Sequence, residues 1–559
     1  MALVACSGGG KEGDGLTGDD DDDTTLGDDD DDVPGDDDDD VVPTGTDTAA
    51  PTTDTATTDT GGTTGPVGLS APETVYGVRN IDNDNDWREA DATDDDLFPL
   101  LIEPSAGPAD ELVLTVGGTG NVRIYHDGAL LIDDTDGASA AIPWQPDPVE
   151  VLVEFGEFNV DGTLVIEEVA GGSIVDSAET RLRSAPLILN HHLQPAETVV
   201  SVAVSFYGDD NDAFIAGYED VLGKNFESIN GWPYFMDPWV QDEIEFATSY
   251  TPDSIVMDTV IDSIRDRGLD DYPEDRWQGE DFGVIRFSPF AYANSLDSFG
   301  NLEVSPPVDG YPFGRIYYGA TPGYKPADEN LFEYLDDMTV QEPFTLDTSW
   351  LCVGHVDEYL AFIPDPDAPR GFRLLYTDTN AAWDILESMD PTTQLPRYSG
   401  RANHDIDTVG ELLADQGLRD LNDDLQSDFL DGELDKLITE LGLLPEEIIA
   451  FPGIFEEAPF CGPYVASLIP GMVNLVVTDF DNGTQIFMAD PFLREDLADQ
   501  SSDAMIQAVT DLLPKSVTPV FLDDWDIYHL GLGEVHCGSN VVRTPSFEDW
   551  WTNDLGGTK

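Results

Sequence analysis

Three copies of a glycine followed by five aspartates, beginning at Gly18, Gly27 and Gly35, set the first limit on what this chain can fold into. A Thr/Asp/Pro/Gly tract continues from them to about residue 66, and residues 7–66 contain no aromatic side chain. Without large apolar groups no core can form there, and like charges extend the backbone, so 7–66 is expected to be a disordered acidic spacer. A functional alternative for the Asp runs is loose calcium accumulation. The folded part must lie beyond them, and it is acidic as well: the whole chain carries 115 Asp and Glu against 23 Lys and Arg, and 7–66 holds only 20 of those acids. Such a surface excludes nucleic acid and anionic lipid as partners and favours cations. Calcium or a saline habitat would relieve the self-repulsion; the plainer reading is solubility alone.

With 559 residues, 40% of them hydrophobic, two or three domains with sizeable cores are expected. Residues 67–190 alternate with period 2 in "ELVLTV", "NVRIYHDG", "VEVLVEFG" and "TLVIEEV", separated by Gly, Pro and Asp turns. That spacing reads as a β-sandwich. Near its start, Asn80, Asp82, Asp84 and Asp86 alternate in "NIDNDNDWREADATDDDLFPL", a density of hard oxygen ligands that suits Ca2+ without matching an EF-hand; the alternative is a solvated acidic loop. From 191 to 559 the texture is mixed α/β: apolar positions in "DLNDDLQSDFLDGELDKLITEL" have helical spacing, and "MVNLVVTDF" (472–480) reads as a buried strand. "NHHLQP", with His191 and His192, reads as a linker, with a metal pair as the minor alternative.

Four cysteines, Cys6, Cys352, Cys461 and Cys537, are too widely spaced to imply a disulfide framework, and Cys352 and Cys461 read as small core residues. Residues 1–6, "MALVAC", with Ser-Gly-Gly-Gly following, resemble the end of a bacterial lipobox in which Leu3, Val4 and Ala5 precede a lipidated Cys6. No run of about 18 apolar residues is present to span a membrane. The expectation is an extracytoplasmic protein on a bacterial cell envelope, attached by lipid only and displayed on the acidic spacer.

Three stretches hold the chemistry. In "WVQDEIEF" an extended backbone places Gln241, Glu243 and Glu245 on one face and Asp242 on the other, so that one face can hold metal while the other meets substrate. In "WLCVGHVDEYLAF" the same period sets His355 beside Asp357 on a strand with apolar flanks. Buried acid and imidazole need a reason to be there. In "HLGLGEVHCGSN", Gly533 and Gly538 bracket His536 and Cys537. Cys537 taken alone reads as nucleophile, metal ligand or packing. Carboxylates near a thiol raise its pKa and suppress attack on ordinary electrophiles, unless the substrate is itself cationic. A guanidinium is, and its planar fork of donors pairs bidentately with carboxylates such as Asp242 and Asp357.

The segments "QDEIEF", "LDSFGNLEVSPP", "VGHVDEYLAFIP", "GFRLL" and "GEVHCGSNVVRTPSFEDWW" resemble the protein-arginine deiminases, in order, from about 195 to 551, and "LRSAPLILNHHLQP" resembles the strand that joins that family's two domains. The resemblance implies a catalytic domain of pentein type, a fivefold pseudo-symmetric α/β-propeller of ββαβ modules, after an immunoglobulin-like β-sandwich that binds calcium. It makes Cys537 the nucleophile, His355 the acid and base, and Asp242 with Asp357 the guanidinium-binding pair. It assigns one calcium ion to Gln241, Glu245 and Glu303 with the carbonyls of Phe299 and Leu302. A second falls to Glu243, Asp262, Ser263, Asp266 and Asp281, Asp266 replacing the family's asparagine in "DSIRDRG". Arg267 matches a residue that grips the substrate backbone and Trp239 an active-site wall, whereas Gly531 and Pro238 stand where the animal enzymes have arginines.

The expected activity is calcium-dependent deimination of arginine in proteins or peptides, giving peptidyl-citrulline and ammonia. Two rivals remain: a deiminase or amidinotransferase for a small guanidine such as arginine or agmatine, and a non-catalytic calcium-binding surface protein. Whether chains pair as a homodimer stays open.

Overall fold

The computed structural model describes residues 68–552 except 80, 82–96, 120, 134, 207, 266, 280–281, 287–292, 322–328, 339, 402–403 and 459–460. Cys6, the spacer, the loop residues Asn80, Asp82, Asp84 and Asp86, and both Asp266 and Asp281 therefore lie outside the described residues.

Period-2 alternation builds the first part. In Glu111–Gly117 the buried positions are Leu112, Leu114 and Val116, with half-buried residues between them. A five-stranded sheet runs in the order Thr74–Gly77, Ser173–Ser184, Asp161–Ala170, Glu111–Gly117, Ser139–Pro143. A four-stranded sheet runs Phe98–Ile102, Val149–Phe155, Val122–His126, Ala129–Ile132. Leu114, Ile166 and Leu182 of the first share one core with Leu100, Ile124 and Val153 of the second. The same core continues into Ala247, Phe299, Ile316 and Trp550, so these two sheets are joined to the C-terminal region by packing as well as by chain.

Beyond residue 185, five sheets among the described residues repeat one scheme: an antiparallel pair, then a helical crossover to a third strand parallel to the middle one. Phe246's strand, Ile244–Tyr250, pairs antiparallel with Val256–Asp262, which pairs parallel with Phe282–Ile285 after the helix Tyr272–Arg276. The scheme recurs in Leu302–Val304, Ile316–Ala320 and Phe344–Asp347, in Leu360–Pro364, Phe372–Asp378 and Ile448–Pro452, and in Val476–Thr478, Thr484–Ala489 and Val517–Leu522. In the remaining sheet the middle strand, Ala196–Ala203, is parallel to Phe226–Asn230, but its antiparallel partner is Ser539–Arg543 from the far end of the chain. The last described strand thus pairs with a strand near the start of this region.

Local pattern misleads in four places. Cys352 and Cys461 are bonded to each other, their Cα atoms 5.7 Å apart across 109 residues of sequence, so spacing is a poor guide to pairing. The buried strand expected over 472–480 covers only Val476–Thr478; buried Met472–Leu475 precede it as turn. Val240–Glu243 is a single helical turn and extended backbone begins only at Ile244. His355 caps a 3-10 turn, Val356–Glu358, that contains Asp357, because the Glu358 carboxylate accepts from the N–H groups of both Gly354 and His355 (3.0 and 2.9 Å). The helical reading of 420–441 holds, as Gln416–Leu425 and Asp431–Leu441 around a π-helical turn.

Candidate active site

Cys537 sits in a turn immediately before Ser539–Arg543, closed by Gly538 N–H donating to the Glu534 carbonyl and Ser539 N–H to that of His536. The Ser201 hydroxyl donates to the Gly538 carbonyl at 2.6 Å, and Asn540 donates to the Ile244 carbonyl at 2.8 Å. The nucleophile candidate is therefore held by strands on both sides. Its carbonyl accepts from the Gln241 N–H at 3.3 Å, which fixes the helical turn that carries Asp242.

The thiol is buried and is the only free cysteine among the described residues. Its Sγ lies 3.5 Å from Asp357 Oδ2 and receives the Asn474 side-chain N–H at 3.2 Å. Burial, then the charges of Asp357 and Asp242, push it well above its ordinary pKa. His355 is fully buried; its Nε2 donates to the Ser295 carbonyl at 2.7 Å, which leaves Nδ1 facing Asp242 Oδ1 at 3.8 Å. A Cβ on Gly300 would come 2.6 Å from that Nδ1 and 3.1 Å from Asp357 Oδ2, so only glycine allows this close an approach. The four residues that the sequence singled out for chemistry, Cys537, His355, Asp242 and Asp357, are thus brought together.

Asp242 already holds a guanidinium. Arg267 donates to its Oδ2 at 2.7 Å and bidentately to Asp237 at 3.0 and 3.2 Å. Trp239 lies over the loop of Cys537: a Cβ on Gly533 would meet its ring at 2.4 Å, and one on Gly531 at 2.9 Å. An arginine at 531 would need the indole to move.

The metal candidates fall into two groups around the short turn and the strand after it. Gln241 donates to Glu245 at 3.2 Å and to the Phe299 carbonyl at 3.3 Å. Glu303 follows buried Leu302, and its Oε1 has no hydrogen-bond partner. Burial and the Glu303 charge raise Glu245, and burial raises Glu303 to about 8. On the other side, both carboxylate oxygens of buried Glu243 lack a hydrogen-bond partner, and its ligand atoms lie within 4.8 Å of those of Asp262 and Asp270. Ser263 is tied to Glu243 through the backbone at 2.8 Å. Buried carboxylate oxygens that receive no donor, as on Glu243 and Glu303, are what a hard cation site looks like without its cation, so the residues fit calcium.

Sequence reasoning missed three residues, Asp270, Asp237 and Asn474, and gave a fourth, His192, a metal role only as the minor alternative. Asp270 joins Glu243 and Asp262, and Asp237 shares Arg267. His192 is no linker residue: its Nε2 lies 3.0 Å from Glu303 Oε2. Asn474 accepts from the N–H groups of His536 (2.8 Å) and Cys537 (3.2 Å) while donating to Sγ and to the Asp357 carbonyl (3.3 Å). A lone amide inside the apolar run "MVNLVV" was the available signal, since a buried amide must find partners.

A thiol beside one carboxylate and in the field of a second, with an imidazole against that second one, is an arrangement chemically suited to a cationic electrophile. The family model for protein-arginine deiminase matches residues 175–552, and the chain belongs to that family. It is 34% identical to mouse protein-arginine deiminase type-1 over 385 residues, 66% of this chain and 56% of that protein. The corresponding figures for mouse type-4 are 33% over 396 residues, 68% and 57%; for human type-4 they are 31% over 454 residues, 78% and 64%. The chain spans little more than half the length of the first two.

Proposed function

We propose that this protein is a calcium-dependent protein-arginine deiminase. The observation that carries the reading is the charge around the thiol: Sγ at 3.5 Å from Asp357, with Asp242 against His355, suits a nucleophile whose substrate brings positive charge. The substrate guanidinium replaces Arg267 on Asp242, pairs with Asp357, and offsets the carboxylate field that keeps Cys537 protonated. The Cys537 thiol gives its proton to His355 Nδ1, the thiolate attacks the guanidinium carbon, and His355 passes that proton to the departing amine, which leaves as ammonia. His355 next takes a proton from water, whose oxygen adds to the thiouronium carbon; the C–S bond breaks and peptidyl-citrulline is released. The balance is guanidinium plus water to urea plus ammonium.

Calcium would be held by Gln241, Glu245, Glu303 and the Phe299 and Leu302 carbonyls, and by Glu243, Asp262 and Ser263, with Asp266 and Asp281 as expected partners. Bound there, it supplies positive charge that ionises these carboxylates and fixes the turn carrying Asp242. Arg267, freed from Asp242, grips the substrate backbone, with Trp239 as the wall. We read the five repeated sheets as a pentein propeller, the two preceding sheets as an immunoglobulin-like domain that takes calcium near Asn80, Asp82, Asp84 and Asp86, and 7–66 as a spacer from a lipid on Cys6 at a bacterial envelope.

The test is citrulline release from a blocked arginyl peptide and from free arginine, with calcium and with chelator, by wild type and Cys537→Ala. Peptide turnover that needs both calcium and Cys537 is expected. Turnover surviving chelation would overturn the calcium reading, and preference for free arginine would favour a small-guanidine enzyme.

A further inference from the structure

We infer that His192, His536 and Glu303 form a binding site for a borderline divalent cation of the zinc type. Each offers one ligand atom, and the three atoms lie within 4.8 Å of one another. Glu303 lies between the pair: Oε2 is 3.0 Å from His192 Nε2 and Oε1 is 3.6 Å from His536 Nδ1, whose nearer partner is Asp357 Oδ2 at 3.0 Å, so a cation bound at Nδ1 would take it from Asp357. Tetrahedral zinc at bond lengths of about 2.0–2.1 Å keeps its ligands roughly 3.3 Å apart, so little movement is required. The imidazole planes are tilted 57° to each other with ring centres 5.0 Å apart, and both rings line a cavity of about 30 Å³. That is room for an ion with one water as fourth ligand.

One further observation points to a ligand. Glu303 is nine-tenths or more buried and its Oε1 has no hydrogen-bond partner. His191, the neighbouring imidazole, also lines the cavity but does not join the group, because its Nδ1 accepts from the Leu193 N–H at 3.2 Å. Arg543 also lines the cavity, but its guanidinium is committed to the Gln194 and Val477 carbonyls at 2.8 and 2.9 Å. Two imidazoles and one carboxylate favour zinc, cobalt or nickel over calcium, which seeks six to eight oxygens.

The binding claim stands on these residues alone. A second consequence rests on the proposed calcium reading: Glu303 cannot serve both ions, so zinc opposes activation by calcium.

Co2+ added to the metal-stripped full chain in excess Mg2+ tests the site. Wild type should show one strong tetrahedral d–d absorption per chain, displaced by one equivalent of Zn2+, without a thiolate charge-transfer band, and unchanged in Cys537→Ala. In His192→Asn, a residue outside the proposed catalytic machinery, the band should vanish and Zn2+ affinity fall at least about tenfold. An absent band, one that survives His192→Asn, or one carrying thiolate character would overturn the proposal. If Ca2+ fails to weaken Zn2+ binding while His192→Asn abolishes it, the zinc site stands and the calcium assignment of Glu303 falls.

Discussion

Asn474→Asp is nearly isosteric, yet it should separate chemistry from folding. The side-chain oxygen that receives the N–H groups of His536 and Cys537 is retained, so the loop keeps its tether. The amide N–H that points at Cys537 Sγ from 3.2 Å is lost, and a third carboxylate is added to a thiol already raised by burial, Asp357 and Asp242. A hydrogen bond to a charged group contributes about 1.5–3 kcal/mol, so thiolate-dependent turnover should fall roughly 10- to 150-fold. The fall should appear in kcat, with KM for a blocked arginyl peptide little changed. Iodoacetamide alkylation of Cys537 followed against pH gives an independent reading, because the added charge moves its profile to higher pH. Asn474→Ala differs: it strands the buried Cys537 N–H, while that of His536 keeps the main-chain carbonyl of residue 474 at 3.2 Å, so it costs about 1–3 kcal/mol and should lower the melting temperature as well. Wild-type turnover and an unmoved alkylation profile in Asn474→Asp would refute the role given to this amide.

Gly300→Ala places a methyl 2.6 Å from His355 Nδ1, so kcat should drop more than about tenfold while overpacking removes roughly 1–3 kcal/mol of stability. Reduction of Cys352–Cys461, or Cys352→Ser with Cys461→Ser, opens a crosslink spanning 109 residues and should cost about 4 kcal/mol, read as a lower melting temperature that reductant reproduces only in wild type. His404 is raised above its ordinary pKa, first by its hydrogen bond to Glu456 at 2.7 Å. Its stabilisation is therefore complete below the unfolded-state value near 6.5 and is lost as pH rises through the raised folded-state value. Melting temperature should fall over that interval in wild type, and His404→Gln should flatten the curve; a steeper fall in the variant would contradict the assignment.

Residues whose chemistry is carried by identity were legible in the sequence. Cys537, His355, Asp242 and Asp357 could be named before any fold was known, and the structure sets Cys537 beside Asp357 and His355 beside Asp242. What period-2 reasoning mistook was the backbone that presents them. Four residues at 240–243 are too few for alternation to distinguish strand from helical turn, and a distant bond, Gln241 N–H to the Cys537 carbonyl, decides the matter. At 355–358 the deciding group is Glu358, whose carboxylate caps its own turn. The pairing of Cys352 with Cys461 and the turning of His192 toward Glu303 depend on elements far apart in sequence, which local pattern cannot register. The long alternating strands before residue 185 and the helices over 416–441 were readable because their periods run for several turns or pleats.

The pairing of Ala196–Ala203 with Ser539–Arg543 has a consequence for biosynthesis. A ribosome delivers the first of these strands more than 300 residues before the second, and Cys537 travels with the second. Throughout most of translation, Asp242 and His355 have no thiol to work with, and the sheet that will receive the thiol has an open edge. An activity that erases charge from arginine would damage the cell that makes it. The order of synthesis would hold the proposed chemistry off until the last described strand arrives.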